Sequence, residues 1–228
     1  MGKWNSFIAK LIIILSLGLN APRAFPQEII DRIHQVENQL TPMADFIFSD
    51  SALQRFNLYD RMKYYRVPSV SIAVIHDHKV AWTKAYGLAD ANTGRPANPN
   101  TIYQAASLSK TVNAALIMKL VVSGKLALDK DIRSYLKTWK LPDNKLSMGK
   151  PVSLRALLSH SAGFNVHGFS GYTNTDTLPD INAILEGRRP ANNVAVKFIY
   201  SPGSKQQYSG GGILISQKVV EDQTGRSY

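Results

Sequence analysis

The stretch QAASLSKTVNAALIMKLVVSGK, Gln104 to Lys125, constrains the fold more than any other part of the chain. Helix formers run from Ser107 to Val122, and Gly124 stands where a left-handed residue would stop a helix. Val112, Ala114, Ala115, Leu116, Ile117, Leu120, Val121 and Val122 point in nearly every direction around that axis, which predicts burial on most sides. The rest of the fold must then wrap around this element. Ser107 and Lys110 share one face of its first turn, so a hydroxyl and an amine are set together at the end of an interior helix.

That placement has a chemical meaning. Burial favours the neutral amine over the ammonium, and the positive end of the helix dipole pushes the same way. A neutral amine within reach of a hydroxyl is a general base for a nucleophile, and the Ser107 N–H can donate to a developing oxyanion. This is the chemistry of acyl transfer. S-x-x-K is also a common spacing, and its plain alternative is a capping serine followed by a solvated lysine. Tyr208, in QQYSGGG just ahead of another expected helix, adds a phenol able to relay protons between serine, lysine and leaving group. Taken alone, it reads as a packing tyrosine.

Other arrangements are weaker. GFSGY, Gly168 to Tyr172, misses the G-x-S-x-G elbow because Tyr172 stands where the last glycine belongs. Gly210-Gly211-Gly212 is not a phosphate-cradling loop. His160 ends a short helix and reads as a residue that ties down the next turn rather than as the base of a Ser-His-Asp triad. His76 and His78 flank a polar turn with no third ligand in a motif, so no metal and no cofactor are expected.

The remaining elements follow from periodicity. Ile29, Ile33, Val36 and Leu40 predict an amphipathic helix from about Glu28 to Leu40. Ser69 to Ile75 and Val80 to Tyr86, joined by His76-Asp77-His78-Lys79, predict a hairpin, and Leu88 to Thr101 reads as a loop. Ser153 can cap a short helix, SLRALLSH, broken by Gly163; a second short helix is expected from Pro179 to Glu186 and a longer one from about Ile213 to Gln223.

The 228 residues are 44% hydrophobic and 19% charged, enough for one large domain or two lobes. The formal charge of +11 is dispersed, which fits a solvated basic face. Arg61-Met62-Lys63-Tyr64-Tyr65-Arg66 interleaves basic and aromatic residues but has no nucleic-acid module around it, so no nucleic-acid partner is expected. Lys3 and Lys10 lie before and at the start of the apolar block Leu11 to Leu19, the grammar of a signal peptide or N-terminal anchor over residues 1–24; the block is short for a membrane span. The absence of cysteine rules out a disulfide framework and a lipidated cysteine. A periplasmic or secreted protein is expected.

Four blocks, VPSVSIAVIHDHKV with AYGLAD, then QAASLSK, VSLRALLSHSAGF and FIYSPGSKQQYSGGG, occur in an order that resembles the serine β-lactamase and penicillin-binding-protein superfamily. The likeness is to the class C β-lactamase-related hydrolases, which include esterases and D-amino-acid peptidases, and it covers the chain from about residue 28 onward. It implies an α+β fold of the β-lactamase/transpeptidase type, with an antiparallel sheet flanked by helices beside a mainly helical lobe and the active site between them. It further implies Ser107 as nucleophile, Lys110 as base and Tyr208 as the tyrosine of a Y-x-N motif. Gly210 stands where that motif carries asparagine and so faces substrate without an amide, which tilts the expected substrate from a β-lactam toward a peptide or ester, cell-wall material included. The family's K-T-G or H-x-G motif lies on a strand nearer the C-terminus, and the sequence to Tyr228 has none. Residues 25–228 are therefore expected to form an incomplete domain, slow on its own and short of the C-terminal strands of the sheet. The rival expectation is a non-catalytic envelope binding protein or inactive remnant.

Overall fold

The computed structural model describes residues 25–41 and 54–228. The expected export segment, residues 1–24, lies outside the described residues. No helix among them is long and apolar enough to cross a membrane. The chain divides into two compact units, one ending at Tyr103 and one spanning Gln104–Tyr228.

In the first unit α1 (Gln27–Asn38) falls where periodicity placed it, with Ile33 and Glu37 buried. A second helix, α2 (Leu58–Tyr64), begins at Asn57, whose side chain accepts hydrogen bonds from the N–H groups of Tyr59 and Asp60. The sequence reading set the middle of this segment apart as a basic-aromatic cluster and missed the helix. The Arg61 guanidinium lies 3.5 Å from the Phe56 ring centroid, a cation–π contact that accounts for part of the interleaving.

The expected hairpin is present as β1 (Ser69–His76) and β2 (Lys79–Asp90), paired antiparallel. Its two turn residues, Asp77 and His78, have φ of 49° and 61°. A type I′ turn requires this sign at both positions, because its twist then matches that of the strands. β2 continues past Tyr86, and its end pairs with β3 (Arg95–Pro96) where a loop was expected. The residues after Tyr86 have little intrinsic β preference, so pairing rather than propensity extends the strand. Val70 and Ile72 of β1 join Tyr86, Leu58 and Met62 in a small core, and Lys84 reaches the buried Glu37 at 2.7 Å, tying β2 to α1.

In the second unit a 3₁₀ turn, Ala106–Leu108, leads into α3 (Ser109–Val122), followed by α4 (Leu154–Leu158), α5 (Ile181–Glu186) and α6 (Gly210–Thr224). Gly124 stops α3 as expected. Its φ is 73°, and the N–H groups of Gly124 and Lys125 donate to Val121 O at 2.9 Å and Leu120 O at 2.9 Å, a Schellman closure. The expected burial of α3 on most sides is corrected. Only Asn113 and Ile117 are buried, while Leu108, Val112 and Val122 are 76, 70 and 85% exposed. An apolar run states how much cover a helix needs but does not supply it. Among the described residues, the apolar cover of this helix reaches the stripe of Ile117, Leu120 and Val121.

The interior helix is α6. It starts at Gly210 rather than Ile213, because three glycines carry no helical preference of their own and the start is set by tertiary contacts. Ile215, Val219 and Val220 lie in one core with Ile117, Ile132, Val152, Leu154, Leu157, Phe164, Leu185 and Val196. Two charges share this interior. Lys218 Nζ is 3.0 Å from Asp222 Oδ1, and the same carboxylate accepts from the N–H of Lys137 (2.7 Å), the N–H of Thr138 (3.2 Å) and the Thr138 hydroxyl (2.7 Å). Burial pushes the Asp222 carboxyl up, but these donors together outweigh it and hold it at about 2.

A carboxyl held below its unfolded value of 3.8 stabilises the fold fully above that pH and loses its contribution as pH falls toward 2. Denaturant unfolding between pH 4 and 2 should therefore show a loss of about 2 kcal/mol from this group, at about 1.4 kcal/mol per unit. Asp222→Asn should be less stable at neutral pH and show a shallower acid slope. An unchanged slope would contradict this role.

Candidate active site

Ser107, Lys110 and Tyr208 converge in the second unit. Ser107 sits in the 3₁₀ turn ahead of α3 and not within the helix, a correction of its expected first-turn place. The residue before it, Ala106, has a φ of 44°, which is uncommon for a residue with a Cβ. Leu108 and Ser109 already have helical dihedrals, so the i,i+3 relation survives. Lys110 Nζ donates to Ser107 Oγ at 3.0 Å. The Ser107 N–H has no hydrogen-bond acceptor among the described residues.

Tyr208 arrives from the other side. Its hydroxyl is 2.9 Å from Ser107 Oγ, with either oxygen able to donate, and Lys110 Nζ lies 5.1 Å from its ring centroid. Lys110 first, and then the hydrogen bond to Ser107, pull the phenol below its ordinary value. Ser107 is exposed, whereas Lys110 is half-buried and does not have the interior position expected of it.

The segment that carries Tyr208 is fastened by the loop after α4. Ser153 caps α4, accepting from the N–H of Ala156 at 3.2 Å. The helix closes at His160, whose φ of 58° lets the Ser161 N–H reach back to Ala156 O at 2.8 Å. From there the loop meets the start of α6. Gln207 N–H donates to His160 O at 2.8 Å, Gly210 N–H to His167 O at 3.1 Å and Gly211 N–H to Val166 O at 3.0 Å. Ser209 Oγ donates to Asn165 O at 2.6 Å and accepts from the Gly212 N–H at 2.9 Å.

The glycines make this approach possible. A Cβ on Gly211 would lie 2.9 Å from Val196 Cγ1 and 3.2 Å from Asn165 O, whereas one on Gly212 would meet nothing nearer than 3.4 Å. The start of the triple glycine is thus a docking surface for backbone. Gly210 does line the cavity beside Ser107, and its N–H is engaged by His167 O.

The cavity measures about 400 Å³, and every residue lining it comes from the second unit. Ser107, Lys110 and Tyr208 form its polar end; Phe169, Ile213 and Leu214 line it with apolar surface. Asn113, His167 and Phe169 are among the lining residues that the sequence reading does not single out. Asn113 was detectable, since it is a polar residue three positions beyond Lys110 on the same face of an apolar helix. Its Nδ2 donates to Ser216 Oγ at 2.9 Å and its Oδ1 accepts from the Tyr228 hydroxyl at 2.9 Å. His167 and Phe169 had no signal, because a loop that folds back onto a helix start leaves no periodicity.

Two substitutions separate the roles of the glycines. Gly211→Ala should destabilise the chain by about 1–3 kcal/mol through overpacking. Gly212→Ala should be neutral or stabilising by up to about 1 kcal/mol through helix preference. Thermal melts of the two variants decide this, and equal effects would show that the close approach does not govern.

The sequence matches the family described as Beta-lactamase over residues 57–228. Among curated proteins it is similar to Esterase EstB of Burkholderia gladioli, 29% identical over 168 residues that cover 68% of this chain and 41% of the esterase. It is also similar to the teichoic acid D-alanine hydrolase of Staphylococcus aureus, 27% identical over 165 residues, 69% of this chain and 36% of that protein. The octameric penicillin-binding protein homologue from Pyrococcus abyssi matches in structure with a TM-score of 0.59 and 27% identity, over 75% of this chain and 38% of that one. The chain thus spans about two fifths or less of the length of these relatives. Its fold is of the β-lactamase/transpeptidase type, and with a family match that runs through the turn carrying Ser107 and the helix start carrying Tyr208, the chain belongs to the beta-lactamase family.

Proposed function

We propose that Ser107 is the nucleophile of an exported serine hydrolase that works through an acyl-enzyme on an ester or a D-amino-acid amide. One observation carries the reading: Ser107 Oγ lies 3.0 Å from Lys110 Nζ and 2.9 Å from the Tyr208 hydroxyl, at the edge of a cavity large enough for a small acyl group. In the first half-reaction Lys110, once its Nζ has given up a proton, takes the Ser107 proton as Oγ attacks the carbonyl carbon. The Tyr208 hydroxyl passes a proton to the departing alcohol or amine and is reprotonated from the Lys110 ammonium. Attack of water on the acyl-serine, with proton flow reversed, frees the acid. The unengaged N–H of Ser107 is available to the oxyanion.

Gly210 favours an ester or D-amino-acid substrate over a β-lactam, because no side-chain amide is offered from that position. The relatives, an esterase and a teichoic acid D-alanine hydrolase, support the same class. Export rests on the basic residues Lys3 and Lys10 and the apolar block Leu11 to Leu19. The same Gly210 also favours a second reading, a binding protein that reacts once and does not turn over.

Treatment with an activated nitrophenyl ester, read by intact mass, should add one acyl group to the chain and none to Ser107→Ala. Lys110→Ala should slow acylation by about 10²–10⁴-fold, the usual worth of a positioned base. Lys110→Arg should not restore it, since guanidinium does not give up its proton. Undiminished labelling of Ser107→Ala would overturn the assignment, and a stable adduct without turnover would favour the binding protein. Fractionation of a tagged chain tests export, and a cytoplasmic product that retains residues 1–24 would refute it.

A further inference from the structure

We propose that His160 is the positioning residue of this site, holding Tyr208 against Ser107 through an unprotonated Nδ1 and the face of its ring. The claim deepens the acyl-transfer reading and rests on it for its kinetic consequence alone. His160 engages three consecutive residues. Its carbonyl accepts from the Gln207 N–H at 2.8 Å, its imidazole stacks on the Tyr208 ring with centroids 4.5 Å apart, and its Nδ1 accepts from the Ser209 N–H at 3.3 Å. The Tyr208 peptide is thereby gripped on both sides, and the ring is backed on one face. His167 covers the ring as well, with centroids 4.7 Å apart. A residue held at a φ of 58° only to close α4 would need no imidazole.

The geometry requires a particular protonation state. A backbone N–H can be accepted only by a bare ring nitrogen, so Nε2 carries the hydrogen of the neutral ring. The titratable groups acting on this imidazole are the Lys110 ammonium from α3 and His167 from the loop, with the Tyr208 phenol stacked against it, and no carboxylate is among them. Burial and then the Lys110 charge press His160 below its ordinary 6.5, in keeping with a neutral role. Protonation would turn the acceptor into a donor that faces a donor. It would also add a cation beside Lys110. The grip on Tyr208 would then loosen as pH falls through the value for His160.

Replacement by asparagine tests this directly. In His160→Asn the new side chain tolerates the left-handed backbone and can place an amide oxygen near the Nδ1 position, but it does not titrate. His160→Leu keeps bulk and loses the acceptor. The chain is to be prepared with 3-fluorotyrosine, and the Tyr208 fluorine resonance identified by its absence in Tyr208→Phe. On acidification that resonance should move with a midpoint below 6.5 in the unaltered chain, and this step should vanish in His160→Asn. A step of unchanged size and midpoint in His160→Asn, or none in the unaltered chain, would overturn the proposal. The resonance answers whether or not Ser107 is the nucleophile, so failure here is distinct from failure of the acyl-transfer reading. In the labelling assay at neutral pH, His160→Leu should lose about tenfold or more in acylation rate, with His160→Asn recovering most of it, the scale expected for one lost hydrogen bond. Equal losses in both variants would reduce His160 to a fold residue.

Discussion

The site depends on the junction between the loop after α4 and the start of α6. Across it four backbone N–H groups of residues 207–211 find acceptors on His160, Val166 and His167, while Ser209 bridges Asn165 and Gly212. Helix starts leave orphan N–H groups, and burying them unpaired is costly. Here the loop carbonyls supply the partners, and the glycines let two backbones meet at a distance that side chains would forbid. The phenol of Tyr208 has its position because the peptide that bears it has nowhere else to bond.

Ser107 and Lys110 need much less from the tertiary structure. Three residues of near-helical backbone bring their side chains within 3.0 Å, so this half of the site is local. Tyr208 lies 101 residues further along the chain and is delivered by α6, whose interior position comes from its packing on α4, α5 and the core around Phe164 and Val196. The buried pair of Lys218 and Asp222 lies further along the same helix, where Asp222 also gathers the N–H groups of Lys137 and Thr138. One helix thus carries both the tyrosine's anchorage and a large share of the polar ties within the second unit.

Much of this is legible in the sequence. The hairpin, the cap at Ser153, the stop at Gly124 and the meeting of Ser107 with Lys110 are local effects of spacing and dihedral preference, and the structure reproduces them. The burial of α3 is not. Apolar content measures a demand for cover, and Val112 and Val122 remain exposed while α6, with its unpromising glycines, takes the centre.

By itself the sequence determined which chemical groups are available, and it determined the geometry of any pair within one turn of each other: serine with lysine, cap with helix, turn with hairpin. Only the tertiary structure decided that Tyr208 meets Ser107, that His160 and His167 lie against its ring, and that Asn113 and Phe169 line the cavity. The physical reason is range. Dihedral preferences and i,i+3 contacts act within a few bonds and leave a pattern in the sequence, whereas a loop that bonds to a helix start some forty residues away is fixed by the joint satisfaction of burial and hydrogen bonding, which leaves none.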